Sequence, residues 1–153
     1  MTEEVIRRLI ATDMVAEGIH LHISYDWKST ADGTYSGPTQ VNYYGRKAPV
    51  SARGTTKLGG PTACPSRIMK ATLELFEKII DPKLSSRKLY VTAIRLSNRE
   101  DVPPQLGFFV DTSAEDREIA LVKAMLRVQD RFGKSAVFKC YDLLDGVTTL
   151  EGN

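Results

Sequence analysis

Cations dominate the side chains that could do chemistry in this chain. Residues 40–99 hold twelve Lys and Arg against three Asp and Glu, a net charge of +9, whereas residues 1–39 carry −3 and residues 100–153 carry −4. Blocks of opposite sign in one short chain point to a face built for a polyanion, and phosphate is the commonest polyanion. A lysine-rich solvated surface would give the same count, so charge by itself does not choose between them. His20, His22 and Asp26 alternate along one stretch and are the residue types of a two-histidine, one-carboxylate metal site. No further ligands stand at suitable spacing, so they read as the polar side of a strand. Cys64 precedes Pro65 at a helix start, where a thiol can become more acidic, but with no neighbouring histidine in sequence it reads as a small helix-start residue. Neither Cys64 nor Cys140 lies in a C-x-x-C pair or a Cys/His cluster. Gly59-Gly60-Pro61-Thr62 lacks the lysine of a phosphate-binding loop, and neither Gly-x-Ser-x-Gly nor His-Glu-x-x-His occurs. The pattern favours binding over catalysis.

The elements that must position these residues follow from periodicity. A chain of 153 residues, 42% hydrophobic and 26% charged, suits one soluble globular domain with a core that needs no disulfide or metal. The apolar runs are far short of a membrane span and the acidic start is unlike a secretion signal, so a cytoplasmic location is expected. Val5, Ile6, Leu9, Ile10 and Met14 make one stripe of a helix over 3–17, with Gly18 as its stop. Ile19, Leu21, Ile23, Tyr25 and Trp27 alternate with His20, His22, Ser24 and Asp26 as a half-buried strand. Residues 28–38 read as a loop, Thr39 to Tyr44 as a weak strand, and the glycine- and proline-rich stretch 45–62 as irregular or edge-strand structure. Pro65 opens a second helix whose apolar face is Ile68, Met69, Thr72, Leu73, Phe76, Ile79 and Ile80. Residues 87–97 have the β-branched and aromatic content of a central strand. A third helix runs from Ala114 to Phe132 with Ile119, Val122, Met125, Leu126 and Gln129 on one side, and a last strand from Ala136 to Leu143.

This order of elements, with Tyr44-Gly45-Arg46-Lys47-Ala48-Pro49, Arg53-Gly54-Thr55-Thr56 and Arg87-Lys88-Leu89-Tyr90-Val91-Thr92, resembles the little-finger domain of Y-family translesion DNA polymerases. Within that family it resembles the UV-protection polymerase-like proteins of Gram-positive bacteria, since Arg131 to Val137 and Asp145 to Thr149 look like the end of their C-terminal extension. The resemblance implies an α+β fold, an antiparallel sheet with two helices on one face, followed by a C-terminal helix and strand. It implies a little-finger-like DNA-binding domain over 1–99, a linker over 100–113 and an extension over 114–153. In such polymerases the catalytic carboxylates and their two Mg²⁺ ions belong to a palm domain ahead of the little finger. The chain is therefore expected to be a non-catalytic C-terminal piece with no cofactor of its own and one sheet strand short.

The resemblance also assigns residues. Arg46, Lys47, Arg53, Thr55, Lys57, Arg87 and Lys88 are expected to lie along the backbone of double-stranded or primer-template DNA. Gln105-Leu106-Gly107-Phe108-Phe109, after Pro103-Pro104, resembles the pentapeptide by which bacterial proteins bind the sliding clamp: Leu106, Phe108 and Phe109 are the apolar anchors and Gln105 supplies a directed hydrogen bond. The competing reading of that segment is a flap tucked into the domain's own core. An open sheet edge would leave room for a homodimer. The alternative function is a stand-alone single-strand or RNA-binding module, which would need exposed aromatics on the sheet; the polar positions His20, His22, Ser24 and Asp26 favour backbone contact instead.

Overall fold

In the structure, a computed structural model, residues 1–103 and 112–137 are described. A helix α1 (Thr2–Ala11) leads into β1 (Met14–Tyr25), a single helical turn α2 (Lys28–Ala31), a hairpin of β2 (Thr39–Val41) and β3 (Lys47–Pro49), and β4 (Ala52–Thr62). Then come α3 (Pro65–Ile79), β5 (Ser86–Asn98) and α4 (Thr112–Phe132), with 3₁₀ turns at Arg99–Asp101 and Lys134–Ala136. The α+β class is as expected. Three antiparallel strands form the main sheet in the order β4-β1-β5, and α1 and α3 cover one of its faces.

β1 organises the molecule. Its alternation puts Ile19, Leu21, Ile23 and Tyr25 in the core while His20, His22 and Ser24 face away from the helices. The strand begins earlier than its apolar pattern suggests. α1 stops at Ala11, where the Thr12 hydroxyl bonds back to the Arg8 carbonyl at 2.8 Å and Asp13 turns the chain with φ 53°, a left-handed conformation that aspartate tolerates. Gly18 is therefore no helix stop. It lies inside β1, where a Cβ would come within 2.8 Å of the Thr56 carbonyl oxygen.

Two further expectations change. β5 is not central: among the described residues it pairs with β1 alone, because β-branched content reports a half-buried surface rather than a position in the sheet. In α3 the buried row is Ile68, Thr72 and Leu75, while Leu73 is 53% exposed. The buried Thr72 hydroxyl satisfies itself on the Ile68 carbonyl at 2.8 Å. The glycines of β4 admit this helix, since a Cβ on Gly54 would stand 2.8 Å from a Leu75 methyl and 3.0 Å from Ile79. β4 is the edge strand that the 45–62 stretch suggested: it pairs residue for residue with β1 from Ala52 to Lys57, and the register shifts before Thr62, where Gly59 and Gly60 take positive φ.

α4 packs on α1 and α3, and Ile119 belongs to the same core cluster as Ile6, Leu9, Ile10, Ile19 and Ile68. Polar clamps fix it: Arg67 to Glu115 at 3.2 Å, Arg99 to Asp116 at 2.7 Å, Lys123 to Asp13 at 2.7 Å, and Arg7 to Gln129. Glu118 reaches the start of α3, where the Ser66 amide donates to it at 3.0 Å, so a carboxylate from α4 caps the positive end of another helix. Burial pushes the Glu118 carboxyl up, but the Ser66 amide and hydroxyl and the Cys64 thiol together hold it below the usual carboxylate value. Cys64 itself is buried, and that burial raises its thiol pKa against any help from the helix start. The expected strand from Ala136 does not start there, because Ala136 closes the 3₁₀ turn; residues 138–143 lie outside the described part.

Candidate nucleic-acid interface

Register decides which polar side chains meet. β1 pairs His20 with Thr55 on β4 and Thr92 on β5, and His22 with Arg53 and Tyr90. Gly18 lies between Lys57 and Ile94, and Ser24 beside Lys88. Directly opposed residues point to the same side of an antiparallel sheet, so Arg53, Thr55 and Lys57 form one exposed row and Lys88, Tyr90 and Thr92 another, with the histidines between them. Within a row, successive members stand about 7 Å apart, two residues of strand rise. The face is polar and cationic, and the helices lie behind it.

Arg53, Lys57, Arg87 and Lys88 form no ion pair among the described residues, in contrast to the clamped cations of the helix layer. Arg87 sits where the β1–β5 register shifts between Ser24 and Tyr25, exposed at the end of the second row. His20 Nδ1 is 3.1 Å from the Thr55 hydroxyl, which ties the first row to the middle strand. The His22 ring stacks on Tyr90 at 5.6 Å between centroids. Burial, then the neighbouring Arg53 and His20 charges, lower the His22 pKa below the ordinary imidazole value, so the ring is uncharged at neutral pH. Among the described residues no three of His, Cys, Asp and Glu are grouped to hold a metal ion.

Of the residues expected to contact DNA, five share this sheet: Arg53, Thr55, Lys57, Arg87 and Lys88. Arg46 and Lys47 do not belong to it. They lie on the β2–β3 hairpin, where the Arg46 guanidinium sits over the Trp27 ring at 4.7 Å. Gln105, Leu106, Phe108 and Phe109 lie outside the described residues. Tyr90 was missed as a member of the face, although it is 46% exposed and in phase with Lys88 along the strand. Counting Lys88, Tyr90 and Thr92 by twos would have found it. No described helix is long and apolar enough to cross a membrane.

The sheet thus carries helices on one side and exposed cationic rows on the other. Residues 1–108 match the model of the impB/mucB/samB family C-terminal domain. The chain belongs to this family, the little-finger domain of Y-family DNA polymerases, and is thereby tied to translesion synthesis and DNA repair. No curated protein matches it.

Proposed function

We propose that the outer face of the β4-β1-β5 sheet grips the backbone of duplex primer-template DNA, as a non-catalytic part of a translesion polymerase. The observation that carries this reading is the pair of exposed rows, Arg53-Thr55-Lys57 and Lys88-Tyr90-Thr92, whose cations have no acidic partner among the described residues. Cations that hold phosphates release counterions and read no sequence, so binding is salt-sensitive and base-indifferent. The test is a fluorescence-anisotropy titration of a blunt duplex with wild type and Arg53→Ala/Lys57→Ala. Affinity falls at least about tenfold in the double variant if two charge-assisted contacts are lost; equal affinities would overturn the assignment.

The same reading places Gln105 to Phe109 as the tether to the bacterial sliding clamp. Its support is the motif itself and its position after Pro103-Pro104 in an acidic neighbourhood of Glu100, Asp101 and Asp111. Two aromatic anchors offset by the ordering of a linker give micromolar affinity as the plausible scale. Binding of purified clamp to wild type and not to Phe108→Ala/Phe109→Ala is the expected result, and equal binding by both would refute it. A homodimer through an open edge of β4 or β5 belongs to the same proposal and is read from sedimentation across a concentration series.

A further inference from the structure

We infer that the tip of the β2–β3 hairpin is a second nucleic-acid contact, in which Tyr43 and Tyr44 stack on unpaired bases of the single strand that continues beyond the gripped duplex. This inference rests on the duplex-binding reading above and adds a different ligand state and different residues to it.

The tip displays aromatic surface that the fold does not use. Tyr43 is 96% and Tyr44 70% exposed, and with Val41 and Val50 this short segment holds four of the ten exposed large apolar side chains among the described residues. The two rings meet edge to face at 5.4 Å, so they support each other without being covered. The backbone beneath them is fixed. Asn42 Oδ1 accepts the amides of Tyr44 and Arg46, both at 3.0 Å, Gly45 donates to the Asn42 carbonyl at 2.9 Å, and Gly45 takes the left-handed φ of 74° that closes the turn. Arg46 on Trp27 anchors the hairpin to the end of β1. A turn already locked in one conformation loses little freedom when its rings are engaged.

Charge selects the partner. From Gly33 to Leu73 the chain has no Asp or Glu, while Arg46, Lys47, Arg53 and Lys57 lie within it. Exposed aromatics beside unopposed cations match a polyanion that carries flat faces, and duplex DNA hides those faces in its stack, so unpaired bases are the fitting occupant. Position agrees. Three residues of chain, four steps that span at most about 14 Å, separate Pro49 at the hairpin base from Arg53 on the proposed duplex face. Trp27 follows shortly after Tyr25, which pairs with Ser86 beside Arg87 and Lys88. The hairpin thus stands at the end of the sheet where the cationic rows begin.

The full chain is titrated against a blunt duplex and against the same duplex with a single-stranded thymidine extension, by anisotropy, with wild type, Tyr43→Ala/Tyr44→Ala, Tyr43→Phe/Tyr44→Phe and Arg53→Ala/Lys57→Ala. Wild type prefers the extended substrate by about tenfold, a modest yield for stacked bases. The alanine pair loses that preference while binding the blunt duplex as wild type does, and the phenylalanine pair keeps it. Quenching of the single tryptophan, Trp27, on adding the extended substrate provides a second readout near the tip. Equal wild-type affinity for both substrates, or an unchanged preference in the alanine pair, would overturn the inference. Failure of the duplex reading looks different: blunt-duplex affinity would then be insensitive to Arg53→Ala/Lys57→Ala.

Discussion

The helix layer and the strand face of this domain treat their cations in opposite ways. Behind the sheet, Arg67, Arg99 and Lys123 each close on a carboxylate that joins α4 to its neighbours or to the start of β1. On the sheet, Arg53, Lys57 and Lys88 stand in line with no such partner among the described residues, and the pair found on those strands, Arg95 with Glu17 at 3.8 Å, lies beyond the rows. The paired charges join elements of the fold, whereas the open row is the one proposed to meet DNA phosphates. Exposed pairs individually contribute little, so the helix-layer clamps register the docking of α4 more than they stabilise it.

Substitutions that exchange the two roles separate them. Arg53→Glu/Lys57→Glu puts acid in the proposed phosphate row, and duplex affinity is expected to fall about a hundredfold or more with an unchanged melting temperature. Arg67→Glu opposes Glu115 instead, lowering the melting temperature by a few degrees and leaving duplex affinity alone. A dependence of DNA binding on Arg67 equal to that on Arg53 would break the contrast. Gly54→Val, which drives a branched side chain into Leu75 and Ile79, is expected to cost about 1–3 kcal/mol in chemical denaturation. Glu118→Ala removes the carboxylate capping α3 and should cost about 1 kcal/mol.

The smallest effect is a pH dependence, and the two regions differ in it as well. Asp13, held low by its hydrogen bond and attraction to Lys123, and Glu118 both have depressed native pKa values. Their unfolded forms bind protons first on acidification, so their contribution to stability is present above the ordinary carboxylate values and is lost as pH falls through the native ones. His22 has a depressed native pKa too, and its contribution likewise fades as pH drops below the ordinary imidazole value. Protonation there adds positive charge to the sheet face. Duplex affinity is therefore expected to rise slightly on acidification, and His22→Gln to diminish that rise in an anisotropy series.

Much of this was legible before any coordinates. The alternation in β1, the proline start of α3 and the Ile119 to Gln129 stripe of α4 are local patterns, and each is found where its period puts it. The end of α1 was not, because Asp13 makes a left-handed turn that glycine usually marks. β4 was obscured by its glycines, which the close approach of α3 requires and which composition reads as loop. For the candidate site, sequence supplied the cations but not the register that sets Arg53 across from His22 and Tyr90. It also grouped Arg46 and Lys47 with the other expected DNA contacts, although they sit on a separate hairpin.

The most direct test of the account is the salt dependence of duplex binding by the wild-type chain. Four phosphate contacts, from Arg53, Lys57, Arg87 and Lys88, predict that log K falls against log[salt] with a slope of about −3.6, and that Arg53→Ala/Lys57→Ala brings it to about −1.8. A slope near zero, or one that the double variant leaves unchanged, would contradict the assignment of the sheet face as the DNA grip.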